Sequence, residues 1–150
     1  MLLSSILSLF FLLAAPLHAA ALPTVTFDAP SEVQTGSSFV VRVLLSSETP
    51  VNAVEASLAY PTTLLEHVSV DRAGSIFDFW REEPDVSVPG VVAFEAGARH
   101  GFSGERGKAL ALEFRALGSG TASLSFEELS LYAADGHATL VEAVVVPTSF

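Results

Sequence analysis

The chain contains no cysteine, a single methionine and a single tryptophan, and only seven basic side chains against seventeen acidic ones. Without thiols there is no cysteine nucleophile, no thiolate metal site and no disulfide to staple a small fold. The shortage of Lys and Arg, with a net charge of −10, argues against nucleic acid and anionic membrane as partners, since both call for a basic face. No Gly-rich phosphate loop opens a helix, and no nucleophile-elbow sequence is present. Beyond the first twenty-odd residues, no window of eleven or more keeps a helical period.

Long apolar runs are also scarce, with one exception. Leu2 to Ala15 carries no charge, Pro16 closes it, and Ala19, Ala20 and Ala21 follow. The run falls short of the roughly 20 residues that span a bilayer, and its small-residue end is the pattern a signal peptidase reads. Residues 1–21 are therefore expected to be a cleaved signal peptide and 22–150 one secreted domain without a membrane span. That domain is close to the commonest single-domain size and can bury enough surface to fold unstapled. Export without disulfides suits a bacterial extracellular or periplasmic protein.

The remainder alternates short apolar-periodic stretches with turn residues, the pattern of an all-β sandwich. Strands are expected at Thr24–Phe27, Phe39–Leu45, Val51–Tyr60, Glu66–Val70, Val91–Ala96, Ala109–Ala116, Thr121–Phe126, Leu129–Tyr132 and Leu140–Val146. Ser46–Pro50 reads as a turn, and Phe77–Trp80 as part of a charged loop. In Val51–Tyr60, Val54, Ala56, Leu58 and Tyr60 point one way, and Ala53, Glu55, Ser57 and Ala59 the other. Val68 and Val70 are expected to face the core.

Several blocks in this order resemble one family: VNAVEASLAYPTTLLEHVSV, SIFDFWREEP, GVVAFEAG, GFSGERGKALALEFRAL and GTASLSFEELSLYAADG. They are similar to bacterial cohesin domains, whose architecture is shared with cellulose-binding modules. The resemblance implies a two-sheet antiparallel β-sandwich of jelly-roll type with about nine strands. It also implies a non-catalytic module that holds a dockerin-like extracellular protein, or a polysaccharide. In that family an Asn and an Asp, two residues apart, project from the strand similar to Val51–Tyr60. Here Glu55 keeps the acid, while Ala53 lacks the amide. The partner-binding face implied is Ala53, Glu55, Ser57 and Ala59.

Other residues invite chemistry. Trp80, with Tyr60 or Tyr132, could stack on a sugar ring; the alternative is that Phe77 and Trp80 plug one end of the sandwich. Glu82, Glu83, Asp85 and Glu95 could be read as a glycosidase pair, but neighbours in a strand face opposite ways. Asp71, Asp78 and Asp135 are the candidates for calcium, which needs six to eight oxygens; turn aspartates are expected instead, with no cofactor. His67, His100 and His137 show no metal-ligand spacing. Arg99, Arg106 and Lys108 form the one local excess of positive charge. The function expected is a secreted binding module, with two rivals: a carbohydrate-binding module, or a surface-assembly subunit paired through an edge strand such as Thr24–Phe27.

Overall fold

The computed structural model describes residues 20–150. The expected signal segment, His18 included, falls outside them except for Ala20 and Ala21. The described chain is all β: β1 (Thr24–Asp28), β2 (Ser38–Ala59), β3 (Leu65–Asp71), β4 (Phe79–Asp85), β5 (Val91–Ala116), β6 (Ser123–Ala133), β7 (Leu140–Val141), β8 (Val144–Val145) and β9 (Thr148–Ser149).

Two of these strands are far longer than the sequence pattern suggests. β2 and β5 run antiparallel from Ala59 opposite Val91 to Ser38 opposite Arg115. Register shifts gather between Val43 and Ala53, where the pair bends. Bulges of this kind let a strand leave one sheet and enter another. The back sheet is thus β8-β1-β2(38–46)-β5(107–116)-β3, and the front sheet is β4-β5(91–97)-β2(51–59)-β6-β7. The expected turn at Ser46–Pro50 is this corner: backbone pairing continues through it. Buried Ser47 donates its hydroxyl to the Thr49 carbonyl at 2.6 Å. Gly101, opposite the bend, sits at φ +69°, and a Cβ there would lie 2.9 Å from Ala134.

Other boundaries move for similar reasons. The stretches expected as Thr121–Phe126 and Leu129–Tyr132 are one strand, β6. Ser57 faces Glu128 and Leu58 faces Phe126, so Glu127 is the extra residue of a bulge. The bulge inverts the alternation, and Leu124 and Leu131 both reach the core. In β3 a shift between His67 and Ser69 turns Val68 outward, 42% exposed, against the expectation that it faces the core; Leu65 is buried instead and Val70 packs at its margin. The expected strand Leu140–Val146 divides. Leu140–Val141 pairs with β6 of the front sheet, and Val144–Val145 pairs in parallel with β1 of the back sheet. The charged stretch after Asp78, expected as loop, is the edge strand β4.

One core fills the space between the sheets. Val41, Val43, Leu110, Leu112 and Phe114 come from the back sheet, and Val54, Leu58, Val92, Phe94 and Leu131 from the front. At roughly 25 cal/mol per Å² of apolar surface removed from water, these side chains supply most of the stabilisation.

His67 sits at the edge of this core, its ring 6.0 Å from Phe114 and 6.5 Å from Tyr60. Its Nε2 is shielded and has no hydrogen-bond partner among the described residues. Burial lowers its pKa below the ordinary histidine value, against a smaller opposing effect of the Ser69 backbone. The unfolded chain therefore takes up the proton first. This contribution to stability is full above about pH 6.5 and is lost as pH falls through the folded pKa. In urea melts at pH 7.5 and 5.5, His67→Leu is expected to lose less stability on acidification than the parent. An equal loss in both proteins would remove His67 from the account.

Candidate functional site

The two outer faces differ in how their charges are used. Across the back sheet, opposing side chains neutralise one another. Arg42 pairs with Asp28 at 3.3 Å, Arg115 with Glu66 at 3.3 Å and Lys108 with Asp71 at 3.1 Å, while Ser69 donates to Glu113 at 2.9 Å. Exposed pairs like these add little stability, but they leave a face of low net charge. Of the seven basic side chains six are held in ion pairs, so eleven of the seventeen acids have no basic partner among the described residues.

The front sheet carries its outward residues in rows set by strand register. In the first row Phe79 lies opposite Gly97, Gly97 opposite Ala53, Ala53 opposite Tyr132, and Tyr132 opposite Leu140. Directly opposed residues share a face. Their inward neighbours Ala96, Val54 and Leu131 are buried, which confirms that this row points to solvent. Phe79 and Leu140 are 54% and 65% exposed, high values for large apolar side chains. The second row is acidic: Glu82 opposite Glu95, Glu95 opposite Glu55, with Ser130 beyond. A third holds Ala93, Ser57 and Glu128.

Like charges directly opposed across strands repel, so the facing pair Glu55 and Glu95 needs relief. Each finds it elsewhere. Tyr132 donates its hydroxyl to Glu55 at 2.7 Å, and Arg81 pairs with Glu95 at 3.0 Å. The Glu55 carboxylate in turn pushes the Tyr132 phenol above its usual range. Two shallow depressions result. One, of about 530 Å³, lies among Phe79, Gly97, Ala53, Tyr132, Glu55 and Glu95; the other, of about 610 Å³, adjoins Glu55, Glu82, Glu95 and Glu128.

No family model and no curated protein matches this sequence. Solved structures do match. A non-cellulosomal cohesin from the archaeon Archaeoglobus fulgidus aligns over 87% of this chain and 90% of its own, with 23% identity and a TM-score of 0.72. The chain has the cohesin fold. The sixth cohesin of scaffoldin B from Acetivibrio cellulolyticus, solved with the Cel5 dockerin, aligns over 86% of this chain and 97% of its own (20% identity, TM-score 0.70). The Coh-OlpC–Doc435 complex of Clostridium thermocellum, a type I cohesin–dockerin pair, gives 90% and 96% coverage, 14% identity and a TM-score of 0.71.

Within this cohesin fold Ala53, Glu55, Ser57 and Ala59 all project, half-buried, from the middle of the front sheet. Tyr132 joins them from β6. Trp80 does not: it stands opposite buried Ala96 on the inward side, packed against Phe94 at 6.0 Å, with the Arg72 guanidinium 5.1 Å from its ring centroid. Phe77 is buried in the core, against which Trp80 packs. Tyr60 packs against Phe114 at 5.1 Å.

The acids also separate. Glu82 and Glu95 meet on the outer face, Glu83 pairs with Arg72 at 2.6 Å, and Asp85 accepts from the Ser87 amide at 2.8 Å and hydroxyl at 2.9 Å. Asp71 and Asp135 accept from the amides of Ala73 and His137, two residues on, as turn aspartates do; Asp78, expected likewise, instead accepts from the Arg99 amide of β5, 21 residues away. The expected basic excess is dispersed. Lys108 and Arg99 are paired with Asp71 and Asp78, and Arg106, at φ 52°, holds its corner through its amide and the Ser46 hydroxyl. His100 and His137 are exposed.

Phe79, Gly97 and Leu140 are the members of the face that the sequence did not single out. They come from three other strands, and only register places them beside Ala53. The one local cue was the FDFW cluster, in which the tryptophan faces inward and its neighbour outward.

Proposed function

We propose that this chain is a non-catalytic, exported binding module that holds another extracellular protein on the outer face of its front sheet. The observation that carries this is the asymmetry of the two faces. The back is neutralised by its own ion pairs, whereas the front sets an apolar row beside a row of carboxylates. A partner presenting basic side chains around an apolar centre complements that arrangement, and electrostatic complementarity of this kind selects partners and speeds encounter. The cohesins of Acetivibrio cellulolyticus and Clostridium thermocellum described above were each solved with a dockerin. The apolar Leu2–Ala15 run with its Ala19–Ala21 end supports export.

Four strands (β4, β5, β2 and β6) at about 4.8 Å, each with about seven residues at about 3.4 Å, give a flat face of roughly 450 Å², and the short β7 extends it at one edge. Side-chain relief and this edge bring it toward the roughly 800 Å² that each partner buries in a standard interface. A polysaccharide is the less favoured ligand, because Trp80 lies on the core side of the sheet, and of the two rings on the outer face Phe79 is exposed while Tyr132 is half-buried with its hydroxyl tied to Glu55.

The test is capture of a partner from the native secretome by the immobilised domain and by an Ala53→Arg, Glu55→Arg variant. Two cations in the centre of the acidic face are expected to weaken capture at least about 100-fold, since like-charge contacts cost several kcal/mol. A Ser69→Arg variant on the back sheet should capture normally. Undiminished capture by the front-face variant, with its melting temperature unchanged, would overturn the assignment.

A further inference from the structure

Resting on that docking reading, we infer that the partner anchors itself with one bulky apolar side chain seated between Phe79 and Tyr132, and sets a cationic side chain one helical turn away over Glu55 and Glu95. The geometry is a notch. Its walls are the rings of Phe79 on β4 and Tyr132 on β6, and its floor is Gly97 and Ala53, the two smallest side chains of the row. Phe79 and Tyr132 are separated by three strand spacings, about 14 Å, which leaves room between the rings for one aromatic or branched aliphatic group.

The floor is low by composition, and there is little slack to raise it. A Cβ on Gly97 would stand 3.3 Å from the Asn52 carbonyl and 3.7 Å from the Phe79 ring. With alanine at position 53, the row offers no side-chain hydrogen-bond donor or acceptor except the Tyr132 hydroxyl, and that is committed to Glu55. A polar partner side chain would find no uncommitted side-chain group within this row, and the hydrogen-bonding groups of the depression lie at its margin, in Asn52, Arg81, Glu55 and Glu95. An apolar one loses water on every side.

The cation follows from the next row. Glu55 and Glu95 lie two residues further along their strands, about 7 Å from the notch floor. Residues i and i+4 on a helix are separated by a comparable 5–6 Å. Four carboxylates (Glu55, Glu82, Glu95 and Glu128) border this second depression, and Arg81 is the one base paired among them. A helix lying along β2 with an apolar residue and a Lys or Arg one turn apart satisfies both rows together.

The combination can be tested with the intact secreted domain and a small probe carrying both features. Phenethylamine, an aromatic ring with an ammonium, is titrated against the ¹⁵N-labelled domain beside phenylacetate, the same ring with a carboxylate. Phenethylamine should shift the amides of Gly97, Ala53, Phe79 and Tyr132 with a Kd of roughly 10 mM, the range open to so small a fragment. Phenylacetate should bind at least about tenfold more weakly. Ala53→Met, which fills the notch, should abolish the shifts, and a Glu55→Gln, Glu95→Gln variant should erase the preference for the amine.

Equal binding of the two probes, shifts confined to other surfaces, or a response unchanged by Ala53→Met would overturn the inference. The docking reading is judged separately. If Ala53→Met captures the secretome partner normally while Ala53→Arg, Glu55→Arg does not, the notch is not the anchor but the face still docks. If neither variant affects capture, both readings fall.

Discussion

Phe114→Ala is expected to cost about 3–5 kcal/mol of folding stability, the usual range for removing a fully buried phenylalanine. For a domain of this size that corresponds to a fall in Tm of roughly 10–20 °C. Phe114 has no solvent exposure and is the largest of the fully buried side chains. Its ring contacts Tyr60 at 5.1 Å, His67 at 6.0 Å and Phe39 at 6.1 Å, aromatic neighbours contributed by β2, the turn after it and β3. These neighbours are themselves held by register, so they cannot collapse into the space, and the cavity term adds to the transfer term. Urea unfolding measures the effect directly. A loss below about 1 kcal/mol would mean that this end of the sandwich repacks freely. Phe114→Leu, which retains more of the volume, should recover a large part of the loss.

Gly107→Ala should be damaging as well, though less so, by the opposite route. Gly107 lies on β5 opposite Leu45, just beyond the corner where the two long strands change sheets. An alanine Cβ would lie 2.7 Å from Ile76 Cγ2 and 2.7 Å from Phe102 Cε2, both well inside van der Waals contact. Overpacking of this kind typically costs 1–3 kcal/mol, about 2 here, because the Phe102 ring closes the corner and must shift as a unit. The diagnosis is steric and not conformational, so it predicts a rescue. In a Phe102→Leu background the alanine should be tolerated with less than about half the loss, a coupling that a double-mutant cycle isolates. Additive losses would show that the ring is not the obstacle.

The all-β class was legible because strand periodicity survives in short windows. Val54, Ala56 and Leu58 are buried and Ala53, Glu55 and Ser57 are not, as alternation requires. The same reasoning failed wherever the alternation slipped by one residue. Glu127 and Val68 each occupy a bulge, and a bulge inverts the pattern on one side of it. The continuous strands β2 and β5 were also hidden. Ser46–Pro50 and Arg99–Arg106 have turn composition, yet their backbones stay hydrogen-bonded around the corner, with Gly101, Gly104 and Arg106 at positive φ.

The candidate face divides in the same way. Ala53, Glu55, Ser57 and Ala59 share a side because they alternate along one strand, and no tertiary information is needed to say so. That Tyr132 reaches Glu55 across 77 positions of sequence, or that Phe79 faces solvent while Trp80 faces the core, depends on which strand lies beside which.

By itself the amino-acid sequence determined that this is a cysteine-free, acidic, all-β chain whose central strand turns small and acidic residues outward. Composition and alternation are local properties, and local properties are readable in order. The tertiary structure alone decided that the few basic residues are held mainly in ion pairs on the back sheet and at the edges, and that an apolar row from four further strands flanks the acids on the front. Register between distant strands sets those neighbours, and register is fixed by packing across the whole sandwich and not by any one segment.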